Sequence, residues 1–237
     1  MESRDVEASF TQQNAELGIK FINKIKRIPL SKRVYVDETW ASSGIKRRRG
    51  RFPKGKTPWT KQNRKYPRMT IICAAKLNGW VHKSRIYNKG SITTEEFENY
   101  VSKVLCPKLN EGDTVIWDRL GKSGRALNPT AHHFSPKAKE AIERRNATLI
   151  MLPPYGKYID PIEPLFGDSK RKYEKFLTKE MRNCEPSKIT FEKKSSFWHK
   201  AIKEITHDSF KRAFHERANG QEFIRVYKER GLIDADE

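Results

Sequence analysis

The sequence lacks any long apolar run. Nowhere in its 237 residues is there a stretch close to the ~18 consecutive apolar residues that a membrane-spanning helix needs. The opening segment, MESRDVEASF, has neither a basic start nor an apolar core, so no secretory signal is predicted. We therefore expect an intracellular protein with no membrane partner. It would be nuclear in a eukaryotic host and cytoplasmic or nucleoid-associated in a bacterium.

Cysteine is scarce. The three cysteines, Cys73, Cys106 and Cys184, are odd in number and far apart in the chain. Their spacing matches neither a disulfide framework nor a zinc site. We expect reduced thiols.

Acidic residues are outnumbered by basic ones. The chain has 49 Lys and Arg against 29 Asp and Glu, which gives a formal net charge of +20. Such a surplus indicates a polyanionic partner, most simply nucleic acid, with an anionic membrane surface as the alternative. A hydrophobic content of 36% is enough for one core, and the length allows one sizeable domain.

Hydrophobic periodicity predicts a mixed α/β protein. Three β-rich segments come first and helices then alternate with strands, which favours a mixed sheet. Helix starts are predicted at Thr93, with Glu96 completing a capping box, and at Ser135-Pro136. The predicted strands cover 33–40, 69–75, 80–87, 113–118 and 148–152, with a tight turn at Asn78-Gly79. The predicted helices cover 15–25, 93–105, 136–145, a segment from Asp160 onward, and stretches around 197–205, 208–214 and 222–227.

Three carboxylates stand where these elements present side chains to a site. Asp37 interrupts an apolar strand, Asp118 ends another strand and Glu163 begins a helix. Phosphoryl transfer on nucleic acid commonly uses two divalent ions, and Mg²⁺ prefers such oxygen ligands. Asp37 also fits an edge strand and Asp118 a turn. Glu163 also fits the third position of a helix with Asp160 as its N-cap and Pro161 at its first position, so the residues alone leave both interpretations open.

Three motifs, in this order, resemble the mariner superfamily of DDE transposases, including its bacterial insertion-sequence relatives. The motifs are VYVDETW at 34–40, TVIWD at 114–118 and LPPYGKYIDPIEPLF at 152–166. The resemblance implies that Asp37, Asp118 and Glu163 are the catalytic triad and hold two Mg²⁺ or Mn²⁺ ions. It implies DNA cleavage and strand transfer at transposon ends, by a homodimer in the active complex.

The resemblance also implies a fold and a division of the chain. The fold is an α/β, ribonuclease-H-like (retroviral-integrase-like) mixed five-stranded sheet flanked by helices, with a helical C-terminal extension. The predicted units are an N-terminal helix and linker (1–32), a catalytic domain (33–178) that contains a basic loop (42–68), and the helical extension (179–237).

The chain departs from the family pattern at several positions. The family usually has Asn where Arg119 stands, and its nearby His corresponds here to His132 or His133, beyond an insertion in 119–134. Gly156 and Asp160 replace the usual Ser and Asn. These departures leave open a degenerate or domesticated copy that binds DNA without cutting it, or a related nuclease acting on RNA or branched DNA.

Family members usually carry an N-terminal helix-turn-helix that recognises DNA. The first acid of the triad is already at position 37, so we expect a truncated copy or a separate recognition module.

Basic residues supply the predicted DNA contacts. The segment 42–68 has eleven Lys or Arg and no acid, which suits sequence-independent phosphate binding. A solvated loop or a nuclear-localisation signal is the alternative for this segment. Trp59 is predicted to stack on a base, and two cations follow Glu163 on its helix. The predicted contacts are Lys46, Arg47, Arg48, Arg49, Arg51, Lys54, Lys56, Trp59, Lys170 and Arg171.

Overall fold

A computed structural model describes residues 10–42, 68–118, 135–154, 156–184 and 188–233 of the chain. Its strands are β1 (Arg33–Ser42), β2 (Arg68–Lys76), β3 (Gly79–Trp80), β4 (Arg85–Tyr87), β5 (Thr114–Trp117) and β6 (Thr148–Met151). Its helices are α1 (Gln12–Ile25), α2 (Thr94–Tyr100), α3 (Pro136–Glu143), α4 (Ile162–Glu180), α5 (Phe191–Lys203), α6 (His207–Ala213) and α7 (Gln221–Lys228). Helices α2 and α6 continue directly into π-helical segments, Val101–Leu105 and Phe214–Ala218.

The strands form one mixed sheet with β1 at its centre. The order is β3-β2-β1-β5-β6, and β4 pairs with β2 beside β3. Strand β1 is antiparallel to β2 and parallel to β5, and β5 is parallel to β6. Parallel neighbours need a crossover connection, and α3 provides it between β5 and β6. The predicted mixed sheet is therefore present, and Asp37 lies on a central strand rather than an edge strand.

The sheet has six strands instead of the five predicted, because the third predicted strand is divided. Trp80 pairs with Ala75, whereas Arg85 pairs with Ile72. Between these two pairs, β2 has two residues, 73–74, whereas the segment between β3 and β4 has four, 81–84. The two extra residues interrupt the ladder, as in a β-bulge.

Each face of the sheet carries its own core. Alternate residues of β1 divide between the faces, with Tyr35 in one core and Val34 and Val36 in the other. The first core also contains buried residues of α1 and of α4 to α7, and the second contains those of α2 and α3. Helix α4, which carries Glu163, therefore packs on the same face as Tyr35.

Arg33, the first residue of β1, joins distant parts of the chain. Its side chain is only 2% exposed. Its Nε and Nη2 donate to the Ile28 carbonyl at 2.9 and 2.7 Å, and its Nη1 donates to the Ala218 carbonyl at 2.6 Å. The guanidinium thus satisfies a carbonyl at the end of the π-helical segment that precedes α7, as buried backbone acceptors require.

Trp80 anchors the β2–β3 hairpin to the C-terminal helices. Its indole Nε1 donates to the Ile202 carbonyl at 3.2 Å. Its ring stacks on Phe166 of α4, with centroids 6.0 Å apart, and meets Phe210 of α6 edge-on at 5.4 Å. The sheet and three helices are locked together at this point.

The predicted helix starts are confirmed. Thr93 and Glu96 form the capping box, with Glu96 accepting from the Thr93 N–H at 2.8 Å and Thr93 Oγ1 accepting from the Glu96 N–H at 3.3 Å. Ser135 Oγ accepts from the Ala138 N–H at 3.2 Å. Across the described ranges, no helix pairs enough length with enough apolar character to cross a bilayer.

Two helical glycines give a matched test of how α1 packs. A methyl group added at Gly18 of α1 would collide with the ring of Phe223 on α7, whereas one added at Gly167 of α4 meets open space. We expect Gly18→Ala to lower the free energy of unfolding by about 1–3 kcal/mol through overpacking. Gly167→Ala should raise it by up to about 1 kcal/mol through helix propensity. Urea denaturation measures both, and equal effects would contradict the packing of α1 against α7.

Candidate active site

Asp37 and Asp118 are brought side by side by the strand register. Val36 of β1 pairs with Trp117, the last residue of β5. Asp37 and Asp118 are the next residues along these two parallel strands, whose backbones are about 4.8 Å apart. Strand β5 ends here while β1 continues to Ser42. Both acids therefore stand at the edge where β5 stops.

Both aspartates belong to the α4 face of the sheet. Side chains alternate along a strand, so residues two apart share a face. Tyr35 and Ile116 are both in the core beneath α4. Asp37 and Asp118 each follow one of these residues by two positions. They therefore point to the side on which α4 begins.

The start of α4 differs by one residue from the prediction. The helix begins at Ile162 with Pro161 as its N-cap, which places Glu163 in the second position instead of the third. Asp160 still provides the capping contact, because its Oδ1 accepts from the Ile162 N–H at 2.9 Å. Glu163 is exposed in the first turn. The capping contact of this stretch is thus made by Asp160 and not by Glu163.

The acids act strongly on one another. Burial raises the pKa of Asp37 well above its ordinary value, and the negative charges of Asp160 and Glu163 raise it further. A backbone hydrogen bond at Glu38 lowers this pKa, and the charge of Asp118 raises it. The charged side chains that shift Asp37 among the described residues are all acidic. A cation at this place would relieve their repulsion.

Asp160 is a fourth acid of this group, and its site role was not predicted. It is only 3% exposed. Burial raises the pKa of Asp160 well above its ordinary value, the Ile162 hydrogen bond lowers it, and Glu163 and Asp118 raise it. The signal in the sequence was the departure from the family's Asn, which replaces a neutral side chain by a charged one.

Arg217 supplies a positive charge near Asp160, and the sequence offered no signal for it. Its charge lowers the pKa of Asp160. Its Nη1 donates to the Lys157 carbonyl at 2.5 Å, in the turn whose Gly156 carbonyl accepts from the Asp160 N–H at 3.0 Å. The π-helical segment that carries Arg217 therefore helps to hold the turn that leads to Asp160.

The donor set suits a hard divalent ion. The acids contribute only carboxylate oxygens, which Mg²⁺ and Mn²⁺ prefer. In the part of the chain that the structure covers, no three His, Cys, Asp or Glu side chains converge into a ready-made ligand group. The acids are nevertheless close enough for their negative charges to raise the pKa values of Asp37 and Asp160. The three cysteines are free thiols, as predicted.

The predicted DNA-binding residues divide into two sets. Lys46 to Trp59 lie outside the described residues, as do Arg119, His132 and His133. Lys170 and Arg171 are on α4. The Lys170 Nζ lies 5.3 Å from the ring centre of Trp40 on β1, whereas Arg171 forms an ion pair with Asp168 one turn earlier on the same helix. The predicted division into 1–32, 33–178 and 179–237 stays a prediction.

The order of strands, with helices on both faces, defines a ribonuclease-H-like fold, as predicted. The model of the DDE superfamily endonuclease family matches residues 32–183, well over half of the chain. The chain belongs to this endonuclease family.

Solved structures of Mos1 mariner transposase share the fold. The Mos1 strand transfer complex superposes with a TM-score of 0.64 at 12% identity, over 97% of this chain and 64% of the Mos1 chain. The isolated Mos1 catalytic domain gives 0.55 at 10% identity, over 97% of this chain and 98% of that domain. The Mos1 paired-end complex with Mn gives 0.62 at 12% identity, over 98% and 65%. This chain thus spans just under two thirds of the longer Mos1 chains, and no curated protein matches its sequence.

Proposed function

We propose that this chain is the catalytic region of a transposase that cuts DNA at transposon ends and transfers the freed strand to target DNA. The observation that carries the proposal is the register of β1 and β5, which brings Asp37 beside Asp118 on the face where α4 begins, with Glu163 in its first turn. Membership of the DDE endonuclease family supports it. So do the similar Mos1 structures, which include complexes with transposon ends.

The acids would hold two divalent ions, Mg²⁺ or Mn²⁺. In such sites one ion activates the attacking oxygen and the other stabilises the leaving oxygen. Asp37 would contact both ions, and Asp118 and Glu163 one each. Asp37 is paired with Cys73 of β2 and directly follows the last pair of the β1–β5 ladder, so its backbone is the rigid member. Glu163 is exposed on a helix turn and has the longer side chain, so it can adjust its reach.

The chain's own charge would bring the DNA to these acids. A net charge of +20 attracts a polyanion strongly. The acids that would hold the metal ions are a small acidic group in this basic chain. The basic segment 42–68 would contact the DNA backbone, and the active complex would be a homodimer.

The proposal predicts cleavage that depends on a divalent ion. We expect the purified chain to nick duplex DNA in Mg²⁺ or Mn²⁺ and to lose this activity in EDTA, because carboxylates alone supply no nucleophile for a phosphodiester. Supplying a pre-cut end with a free 3′-hydroxyl should yield joined products. A panel of duplex DNA, branched DNA and RNA run on agarose and sequencing gels measures the outcome. Cutting of RNA or branched DNA alone would point to a different nuclease, and binding without cutting would contradict catalysis.

A further inference from the structure

The π-helical segment 214–218 contacts both β1 and the turn that precedes α4. The ring of Phe214, its first residue, meets the ring of Tyr35 on β1 edge-on, with centroids 5.5 Å apart. The Nη1 of Arg217 donates to the Lys157 carbonyl at 2.5 Å. Wide helical turns of this kind are frequent at functional sites. This one connects the strand that carries the first acid with the turn that leads to the third.

The turn that Arg217 holds is connected to Glu163 by hydrogen bonds. The Gly156 carbonyl accepts from the Asp160 N–H at 3.0 Å, and Asp160 Oδ1 accepts from the Ile162 N–H at 2.9 Å. Glu163 is the next residue, in the first turn of α4. A shift of the turn would therefore move the start of α4 and change the direction of the Glu163 side chain.

Asp160 places a buried negative charge among the other acids. It is only 3% exposed. After burial itself, the charge of Asp160 is the largest influence that raises the pKa of Asp37. Burial also raises the pKa of Asp160, Glu163 and Asp118 raise it further, and the positive charge of Arg217 lowers it. A buried charge is costly unless an opposite charge compensates it, and Arg217 supplies such a charge.

We propose that Arg217 is a positioning residue of the active site, which balances the charge of Asp160 and thereby keeps Glu163 directed toward the two aspartates of the sheet. The proposal rests on the proposed function, because it assumes that these acids hold the metal ions. Without the cation, the Asp160 carboxylate would repel the neighbouring acids and displace the turn that carries it. An arginine that only anchors the Lys157 carbonyl would act in the same way whether or not Asp160 is charged.

A double-mutant cycle separates charge balance from simple anchoring. The variants are Arg217→Gln, Arg217→Lys, Asp160→Asn and the double variant Asp160→Asn/Arg217→Gln. Asn retains a side-chain oxygen that can accept from the Ile162 N–H, so Asp160→Asn removes the charge and keeps the cap. Arg144→Gln is the control, since Arg144 is an exposed arginine beside a glutamate at the end of α3, on the opposite face of the sheet.

Two measurements are made on each variant of the full chain. Thermal unfolding in EDTA measures the charge pair without any chemistry. Single-turnover nicking of a labelled duplex, with protein in excess and Mn²⁺ saturating, measures the positioning of the acids. Excess protein keeps the duplex bound, so that a change in DNA affinity does not enter the rate.

We expect Arg217→Gln to lower the Tm in EDTA by about 2–4 °C. It should slow nicking by about ten-fold, since small misplacements of catalytic groups are costly. In the Asp160→Asn background the same substitution should cost less than about 1 °C and about two-fold, because the charge to be balanced is gone. Arg217→Lys keeps the positive charge and should stay within about three-fold of the wild-type rate. Arg144→Gln should stay within about 1 °C and about two-fold of the wild type.

Three results would overturn the assignment and leave the proposed function standing. Equal losses from Arg217→Gln with and without Asp160→Asn would show that the arginine only anchors the turn. A loss in Arg217→Lys as large as that in Arg217→Gln would show that the positive charge is not the cause. Loss of Mn²⁺ binding by Asp160→Asn, measured by calorimetry, would make Asp160 a metal ligand. Absence of nicking by the wild type would instead count against the proposed function, and the cycle in EDTA would still test the charge pair.

Discussion

Asp37→Asn is expected to abolish DNA cleavage, with the rate falling by about a thousand-fold or more. Asp37 is the acid that would contact both ions, and it lies on the central strand beside the end of β5. An amide keeps the shape and removes the charge that a divalent ion requires. Losing one preorganised charge at a phosphoryl-transfer site typically costs two to three orders of magnitude, and losing a shared ligand removes the support for both ions. Single-turnover nicking of a labelled duplex measures the rate.

Asp118→Asn and Glu163→Gln should show the same pattern with smaller or equal losses. DNA binding in EDTA should remain at or above the wild-type level in all three variants, because each substitution removes a negative charge that repels the DNA phosphates. Glu111→Gln is the matched control, since Glu111 is an exposed acid beside the opposite end of β5. It should cut normally. Undiminished cutting by all three acid variants would sink the assignment of the site.

Divalent ions are expected to stabilise the wild-type protein and to have little effect on Asp37→Asn. An ion that binds only the folded state adds about 2.7 kcal/mol at one hundred times its Kd. For a chain of this size that amounts to a rise in Tm of about 5–10 °C. Without ions the order should reverse, with Asp37→Asn melting above the wild type, because the substitution removes one of a group of like charges that repel one another. Thermal unfolding in EDTA, Mg²⁺ and Mn²⁺ gives all of these values without any measurement of activity.

Two comparisons make the thermal experiment decisive. Glu111→Gln should follow the wild type in every buffer. Potassium chloride at matched ionic strength should fail to reproduce the effect of Mg²⁺, which excludes simple screening. Equal stabilisation of wild type and Asp37→Asn by Mg²⁺ would place the ion elsewhere in the chain.

The local patterns and the order of motifs predicted most of the frame. Alternation and turn residues located the strands, and Thr93 with Glu96 marked a helix start that the structure confirms. The closeness of Asp37 and Asp118 became visible only with the sheet topology, because the residues before them, Val36 and Trp117, pair between the parallel strands β1 and β5. An acid at the end of a strand can be assigned to a site only when the neighbouring strand is known.

The remaining features depend on contacts between distant residues. The third predicted strand is divided because its four residues 81–84 lie opposite only two residues of β2. The sequence of one strand does not show how many residues of another strand lie opposite it. Arg217 acts on Asp160 because the C-terminal helices fold back over the loop that carries it. Hydrophobic periodicity carries no information about such contacts between residues distant in sequence.

Arg33 has a consequence for the order in which the protein forms. Its guanidinium closes a contact of sequence separation 185 with Ala218, at the foot of the strand that carries Asp37. A chain emerging from the ribosome has made all four acids by residue 160–163, yet it still lacks the carbonyl that Arg33 binds. Contacts of such long range form late because loop closure must precede them. The contact between Arg33 and Ala218 can thus form only after nearly the whole chain has been synthesised. A nascent chain would contain all four acids before this contact could support the strand that carries Asp37.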